Sequence, residues 1–182
     1  ILRTIGEILE IRGENPFKVR AYLNAARALE GLGEEVETLV REGRLGRVFG
    51  IGESLRRKIT ELVTTGSMAF YEDLKGTVPP GVLEMLKIPT LGPKKAKALW
   101  QNLGITDVEQ LRAACLEGKV ARLRGFGERT QAKILQGIEF RRRHRGEYLL
   151  DEALPLARRF LDHLEACREV LRASIAGSLR RW

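Results

Sequence analysis

Apolar residues in the first forty positions recur every three or four residues. Ile1, Leu2, Ile5, Ile8 and Leu9 lie on one helical face. In "ENPFKVRAYLNAARALEGLG" Asn15 can cap a helix and Pro16 suits its first position. Phe17, Ala21, Tyr22, Ala25 and Leu29 then share a face before Gly31 or Gly33 ends it. Val36, Leu39 and Val40 predict a third, shorter helix before Gly43. Far along the chain, Leu154, Ala157, Phe160, Leu161 and Leu164 line one side of a helix expected from about Asp151 to Glu169. The period changes only near the end: Val170, Leu171, Ala173, Ile175 and Ala176 read as a buried strand, with Gly177-Ser178 as the turn after it. Nothing follows that could pair with this strand, and the first residue is Ile1, already inside an apolar helical pattern. The chain therefore reads as a piece of a longer protein, mainly α, with a helix and a first strand of an α/β domain at its end.

A repeat runs through the helical part. "VFGIGESLRRKITELV" (48–63), "IPTLGPKKAKALWQNL" (88–103) and "LRGFGERTQAKILQGI" (123–138) share a short glycine turn followed by a helix with basic residues. Aligned, they give Gly50-Ile51-Gly52, Thr90-Leu91-Gly92 and Gly125-Phe126-Gly127. Each has an apolar residue seven positions after the second glycine: Ile59, Leu99 and Ile134. Thr90 replaces the first glycine of the second copy, so a less tight turn is expected there. Two breaks divide the chain: the Pro/Gly-rich "KGTVPPGV" (75–82), and the end of "FRRRHRGEY", where the charge density falls. The predicted organisation is a helical domain over 1–74, a linker over 75–82, a second helical domain over 83–146 and the start of a third over 147–182.

Charge changes this picture from architecture to partner. The formal net charge is +8, and residues 75–146 hold 15 basic against 6 acidic side chains, whereas residues 1–74 hold 11 against 12. A basic excess confined to one stretch is the footprint of phosphate contact. Arginine outnumbers lysine 23 to 9, which fits phosphate recognition and fits a coding bias equally well. Cys115 and Cys167 stand far apart with no CxxC, and His144 and His163 have no partner at ligand spacing, so neither a zinc site nor a disulfide framework is indicated. No apolar run approaches membrane-spanning length and no signal peptide is visible; a reducing cytoplasm is expected.

The repeat explains how phosphate could be held. Glycine, apolar anchor, glycine, then a helix lets the backbone turn sharply and leaves the first helical N–H groups exposed at the positive end of the helix dipole. Basic residues in the first two turns add charge: Arg56, Arg57 and Lys58; Lys94, Lys95 and Lys97; Arg129 and Lys133. Contacts of this kind hold a backbone without reading sequence.

Three such copies resemble the helix-hairpin-helix motif of DNA repair and replication proteins. The order of hairpins, a helix, a strand and "GSLRR" further resembles family X DNA polymerases, the polymerase beta group, and their bacterial members most closely. The resemblance covers essentially the whole chain. "NPFKVRAY" with the first hairpin matches a lyase-type N-terminal domain, residues 78–146 a duplex-binding domain, and "AGSLRRW" the start of the palm. It implies a gap-filling repair polymerase that binds gapped or nicked DNA as a monomer associated with the nucleoid. Its deoxynucleoside triphosphate substrate and Mg or Mn ion would sit in a palm whose Gly-Asp-x-Asp carboxylates lie beyond residue 182. Residues 1–182 alone are not expected to polymerise. Bacterial members commonly continue into a metal-dependent phosphoesterase domain. The other reading is a non-catalytic helix-hairpin-helix module that tethers a partner.

By the same resemblance Gly177, Ser178 and Arg181 would hold nucleotide phosphates. Lys18 and Tyr22 would meet a 5'-phosphate, and Lys58 takes the place of a Schiff-base lysine attacking an abasic 5'-end. Na or K could sit on the carbonyls of Gly46, Val48 and Ile51, and of Leu86, Ile88 and Leu91. DNA contacts are implied at Gly50, Gly52, Lys58, Gly92, Lys94, Lys95, Lys97, Gly125, Gly127, Arg129 and Lys133. Ser54 and Phe70 stand where the family has further basic residues, which leaves Lys58 open between a lyase nucleophile and a simple DNA contact.

Overall fold

Ten helices and three single turns of 3-10 helix account for the regular structure of the computed structural model, which describes residues 1–143, 150–167, 170 and 172–180. They form two compact units, Ile1–Phe140 and Arg141–Trp182.

The first unit opens with α1 (Leu2–Arg12), whose face Leu2, Ile5, Ile8, Leu9 and Ile11 is buried, and α2 (Pro16–Glu30). Asn15 caps α2 as expected, its Oδ1 accepting the Phe17 N–H at 2.8 Å, with Pro16 in the first turn. The buried face of α2 differs from the expected one. Val19, Tyr22, Ala25 and Ala26 point inward, while Phe17 is 75% exposed and Ala21 faces solvent. The reason is close helix approach: α1 presents Gly6, where an added Cβ would lie 2.7 Å from Leu23 Cδ2, and the small alanines of α2 fit a near neighbour better than a phenyl would.

Three hairpins follow. The first joins α3 (Val36–Arg41) and the 3-10 turn Leu45–Arg47 to α4 (Glu53–Thr65), and α5 (Ala69–Lys75) comes next. The second joins α6 (Pro80–Met85) to α7 (Pro93–Leu103). The expected linker is thus cut short, for Pro80 already starts a helix and Val78 is buried. The third joins α8 (Val108–Leu116) and the turn Val120–Arg122 to α9 (Glu128–Arg143). One continuous core ties them together: the turn anchors Ile51 and Leu91 and the helix anchors Ile59, Leu99 and Ile134 are all buried within it. α7 packs on α1, and Lys97 Nζ rests against Gly13 at the C-terminal end of α1, where a cation complements the helix dipole.

In the second unit α10 (Leu150–Glu165) is followed by the 3-10 turn Gly177–Arg180, which packs against it. The helix is present, but Phe160 on its expected apolar side is 67% exposed. The expected strand is not: residues 170 and 172–176 have no regular structure, and no strand forms among the described residues. The apolar spacing of Val170 to Ala176 is compatible with a strand, but a strand exists only through ladder bonds to a neighbour, and none of the described residues offers that edge.

Candidate nucleic-acid interface

The three glycine segments fold into the same turn. The Ile51 N–H donates to the Val48 carbonyl at 3.1 Å, Leu91 to Ile88 at 3.1 Å, and Phe126 to Leu123 at 3.0 Å. In each the third residue is left-handed, with φ of 86° at Gly50, 77° at Thr90 and 86° at Gly125, which is the pattern of a type II turn. Among the described residues Thr90 is the one non-glycine with positive φ. The turn it makes is as tight as the glycine ones, contrary to the looser one expected. Its β-branched side chain instead sits where an L-residue costs about 1–2 kcal/mol. Lys95 Nζ donates to the Thr90 carbonyl at 3.2 Å and lies 6.0 Å from the centre of the Phe126 ring, so it bridges the second and third hairpins.

Behind each turn a glycine precedes the helix. Gly52 and Gly92 are extended, with ψ of 172° and 174°, and cap α4 and α7 without any side-chain hydrogen bond. Gly127 takes φ 100°, open only to glycine, and precedes α9. The first N–H groups of these helices therefore face outward without a capping side chain where one is defined, which is the arrangement that receives a phosphate oxygen.

The basic residues are not equivalent. Lys94, Arg129 and Lys133 are exposed and have no side-chain partner among the described residues. Arg56 is ion-paired with Glu53 and Arg57 stands 4.0 Å from the same carboxylate, so the first hairpin carries its own counter-charge. Lys95 and Lys97 are half-buried in the contacts already described. Glu53 and Glu128 open α4 and α9, whereas α7 has no acidic residue in its first turn. The second hairpin thus offers the least opposed positive site.

Lys58, Lys18, Tyr22, Ser54 and Phe70 come together in the first domain. Phe70 is the hub: Lys58 Nζ lies 4.8 Å and Lys18 Nζ 5.7 Å from its ring centre, and Tyr22 stacks on it at 5.8 Å with planes 13° apart. Lys58 Nζ also donates to Ser54 Oγ at 3.0 Å, and Lys18 pairs with Glu14 at 3.4 Å. Burial pushes the Tyr22 phenol above its ordinary pKa. An aromatic plate with two ammonium groups on it can receive a phosphate and a sugar.

Of the expected nucleotide-phosphate residues, Gly177 is left-handed at φ 70° and opens the last 3-10 turn. The Ser178 side chain and Arg181 lie outside the described residues, as does His144. Among the described residues no helix is long and apolar enough to cross a membrane.

Residues 1–68 match the helix-hairpin-helix domain family and residues 82–139 the SAM-like helix-hairpin-helix tandem family. Over 181 residues, all of this chain, 36% are identical to the DNA polymerase/3'-5' exonuclease PolX of Bacillus subtilis strain 168. Two helix-hairpin-helix models thus match within the first 139 residues, and the likeness to PolX runs along the whole chain. It spans 31% of that relative, so it is similar to the N-terminal part of a family X polymerase. The matched boundaries enclose the three turns, the first in residues 1–68 and the other two in residues 82–139. Sequence reasoning passed over Glu53 as the counter-ion of Arg56, although their i,i+3 spacing on one helix carries that signal, and it had none for Lys97 as the prop of α1. The second contact depends on how α7 packs on α1, which no local spacing records.

Proposed function

We propose that the chain is the DNA-binding part of a family X DNA polymerase that acts in gap-filling repair in the cytoplasm, as a monomer. The observation that supports this best is the threefold turn: three hairpins of one geometry, each leading into a helix whose leading N–H groups can take a backbone phosphate. The relative's name supplies the polymerase, and such a reaction belongs to a longer protein than these residues. Among the described residues no group of three or more His, Cys, Asp or Glu side chains is placed to share a metal ion. A Mg or Mn ion finds no carboxylate cluster to hold it among the described residues, and its site, like that of a deoxynucleoside triphosphate, would belong to the palm of the longer protein. A monovalent cation asks only for backbone oxygens. The carbonyls of Gly46, Val48 and Ile51, and of Leu86, Ile88 and Leu91, would hold Na or K. The Val48 and Ile88 oxygens each accept one turn N–H and keep a second lone pair. Such an ion would add charge beside a bound phosphate.

Duplex binding is the test. The chain should bind unrelated duplex sequences alike, and log K should fall with log salt with a slope of roughly −0.9 for each phosphate neutralised. Strong preference for one sequence, or no dependence on salt, would remove the reading. A Gly-Asp-x-Asp shortly after residue 182 in the native chain would complete the polymerase part, and its absence would leave a tethering module.

For Lys58 the reading we favour is a contact to the 5'-end through its charge rather than a nucleophile. A lysine nucleophile needs a free amine, while the face of the Phe70 ring beside Lys58 Nζ favours a cation over a neutral amine. Borohydride should therefore trap little or no protein on a 5'-deoxyribose-phosphate end, and Lys58→Arg should keep full DNA binding. Efficient trapping that vanishes in both Lys58→Ala and Lys58→Arg would make this domain a lyase.

A further inference from the structure

Phe49 is 98% exposed at the tip of the first hairpin. We infer that it is a wedge by which this hairpin recognises a break in DNA, the ring stacking on the base-pair face that a nick or gap uncovers. The inference rests on the DNA-binding reading above.

The second position of the three equivalent turns is Phe49, Pro89 and Arg124. Proline is the residue a type II turn favours there, and arginine adds a phosphate contact. Phenylalanine supplies neither, and it contributes nothing to the core: Val48 and Ile51 on either side of the turn pack inward while the ring stands in water. The ground around it is open. The ring is almost wholly in solvent, and a Cβ added at Gly50 or at Gly52 would meet no atom within 4 Å beyond the adjacent residues, so a flat partner can reach the ring. Arg47, just before the turn, is exposed and available to a phosphate.

Geometry then selects the partner. A phosphate held at the start of α4 brings the adjacent turn up to the groove edge. In an intact duplex every base face is covered by the next base, and the ring finds only sugar and groove. At a break the terminal pair has one open face and the helix bends at little cost, which is where apolar wedges insert. Base–aromatic stacking there corresponds to a gain on the order of tenfold in affinity, without sequence preference, since every base has a π-face.

The experiment is fluorescence anisotropy with the full 182-residue chain and two labelled duplexes of one sequence, intact and with a one-nucleotide gap. The unaltered chain should bind the gapped duplex about tenfold more tightly. Phe49→Ala should abolish that preference and leave intact-duplex affinity within about twofold, while Phe49→Trp should keep it. Because the ring is exposed, thermal unfolding of Phe49→Ala should match the unaltered chain. Equal affinity of the unaltered chain for both duplexes would overturn the inference, as would a preference that survives in Phe49→Ala or an equal loss on both substrates in that variant. Failure to bind either duplex would instead strike down the DNA reading on which it rests.

Discussion

Lys94→Glu should weaken duplex binding more than any other single charge change in the three hairpins. Loss of one phosphate contact at 0.1 M salt removes about tenfold in affinity through lost counterion release, and the new carboxylate adds repulsion at the same point. Lys94→Ala should give the first effect alone, with the slope of log K against log salt less steep by roughly 0.9. The site is singled out by what surrounds it. α7 has no acidic residue in its first turn, and Lys94 is exposed without a partner, whereas Glu53 offsets Arg56 and Arg57 in the first hairpin. Arg57→Ala should accordingly change affinity by less than Lys94→Ala, because part of its charge is already neutralised. Lys95 and Lys97 should matter through structure: one bonds the Thr90 carbonyl and the other lies on Gly13. Anisotropy titrations over a range of salt separate these cases. If Lys94→Glu binds as the unaltered chain does, the DNA surface is not the second hairpin.

What could be read from the sequence was what local chemistry dictates. The turns were legible because a left-handed third residue demands glycine and a tight turn demands a buried anchor, and both demands leave letters at fixed spacing. Thr90 shows the limit. The letter suggests a looser turn, yet the surrounding packing closes it as tightly as the others and stores the cost in the backbone. The buried face of α2 is not legible, because Phe17 fits the helical period of the core yet stands in solvent. Burial there is decided by the approach of α1 through Gly6, a contact between positions with no shared local signal. The strand failed for a related reason. Alternation along Val170 to Ala176 records a preference, and a ladder needs a partner that the described residues do not hold. In the candidate sites, residue types were legible and their pairings were not. The convergence of Lys18, Lys58, Tyr22 and Ser54 on Phe70 follows from the packing of α2, α4 and α5.

Gly81→Ala should cost the protein about 2–3 kcal/mol of unfolding free energy and loosen its hold on DNA without removing any charge. Gly81 lies in the first turn of α6, where alanine would ordinarily be the better helix former by about 1 kcal/mol. Here an added Cβ would press on the Thr106 carbonyl oxygen and stand 2.8 Å from Asp107 Cα, and both are backbone atoms that cannot rotate away. The segment it would strike caps α8: Asp107 Oδ1 accepts the Gln110 N–H at 2.8 Å, and Gln110 Oε1 in return accepts the Thr106 N–H at 2.9 Å. Relieving the clash means moving α6 away from α8 or breaking this cap, and each choice costs more than the helix propensity returns. The two helices introduce the second and third hairpins, so their separation changes the spacing at which two phosphates can be gripped together. Affinity for duplex should fall by about tenfold, the equivalent of one lost contact, with a flatter salt slope although every lysine and arginine remains. Gly76→Ala is the control: its Cβ would lie 3.5 Å from the Asp73 carbonyl oxygen, an ordinary contact, and stability should hardly change. Urea unfolding compares the two. Equal stability of Gly81→Ala and the unaltered chain would mean that α6 and the start of α8 do not meet backbone to side chain at this point, and that the two hairpins are not held in register by it.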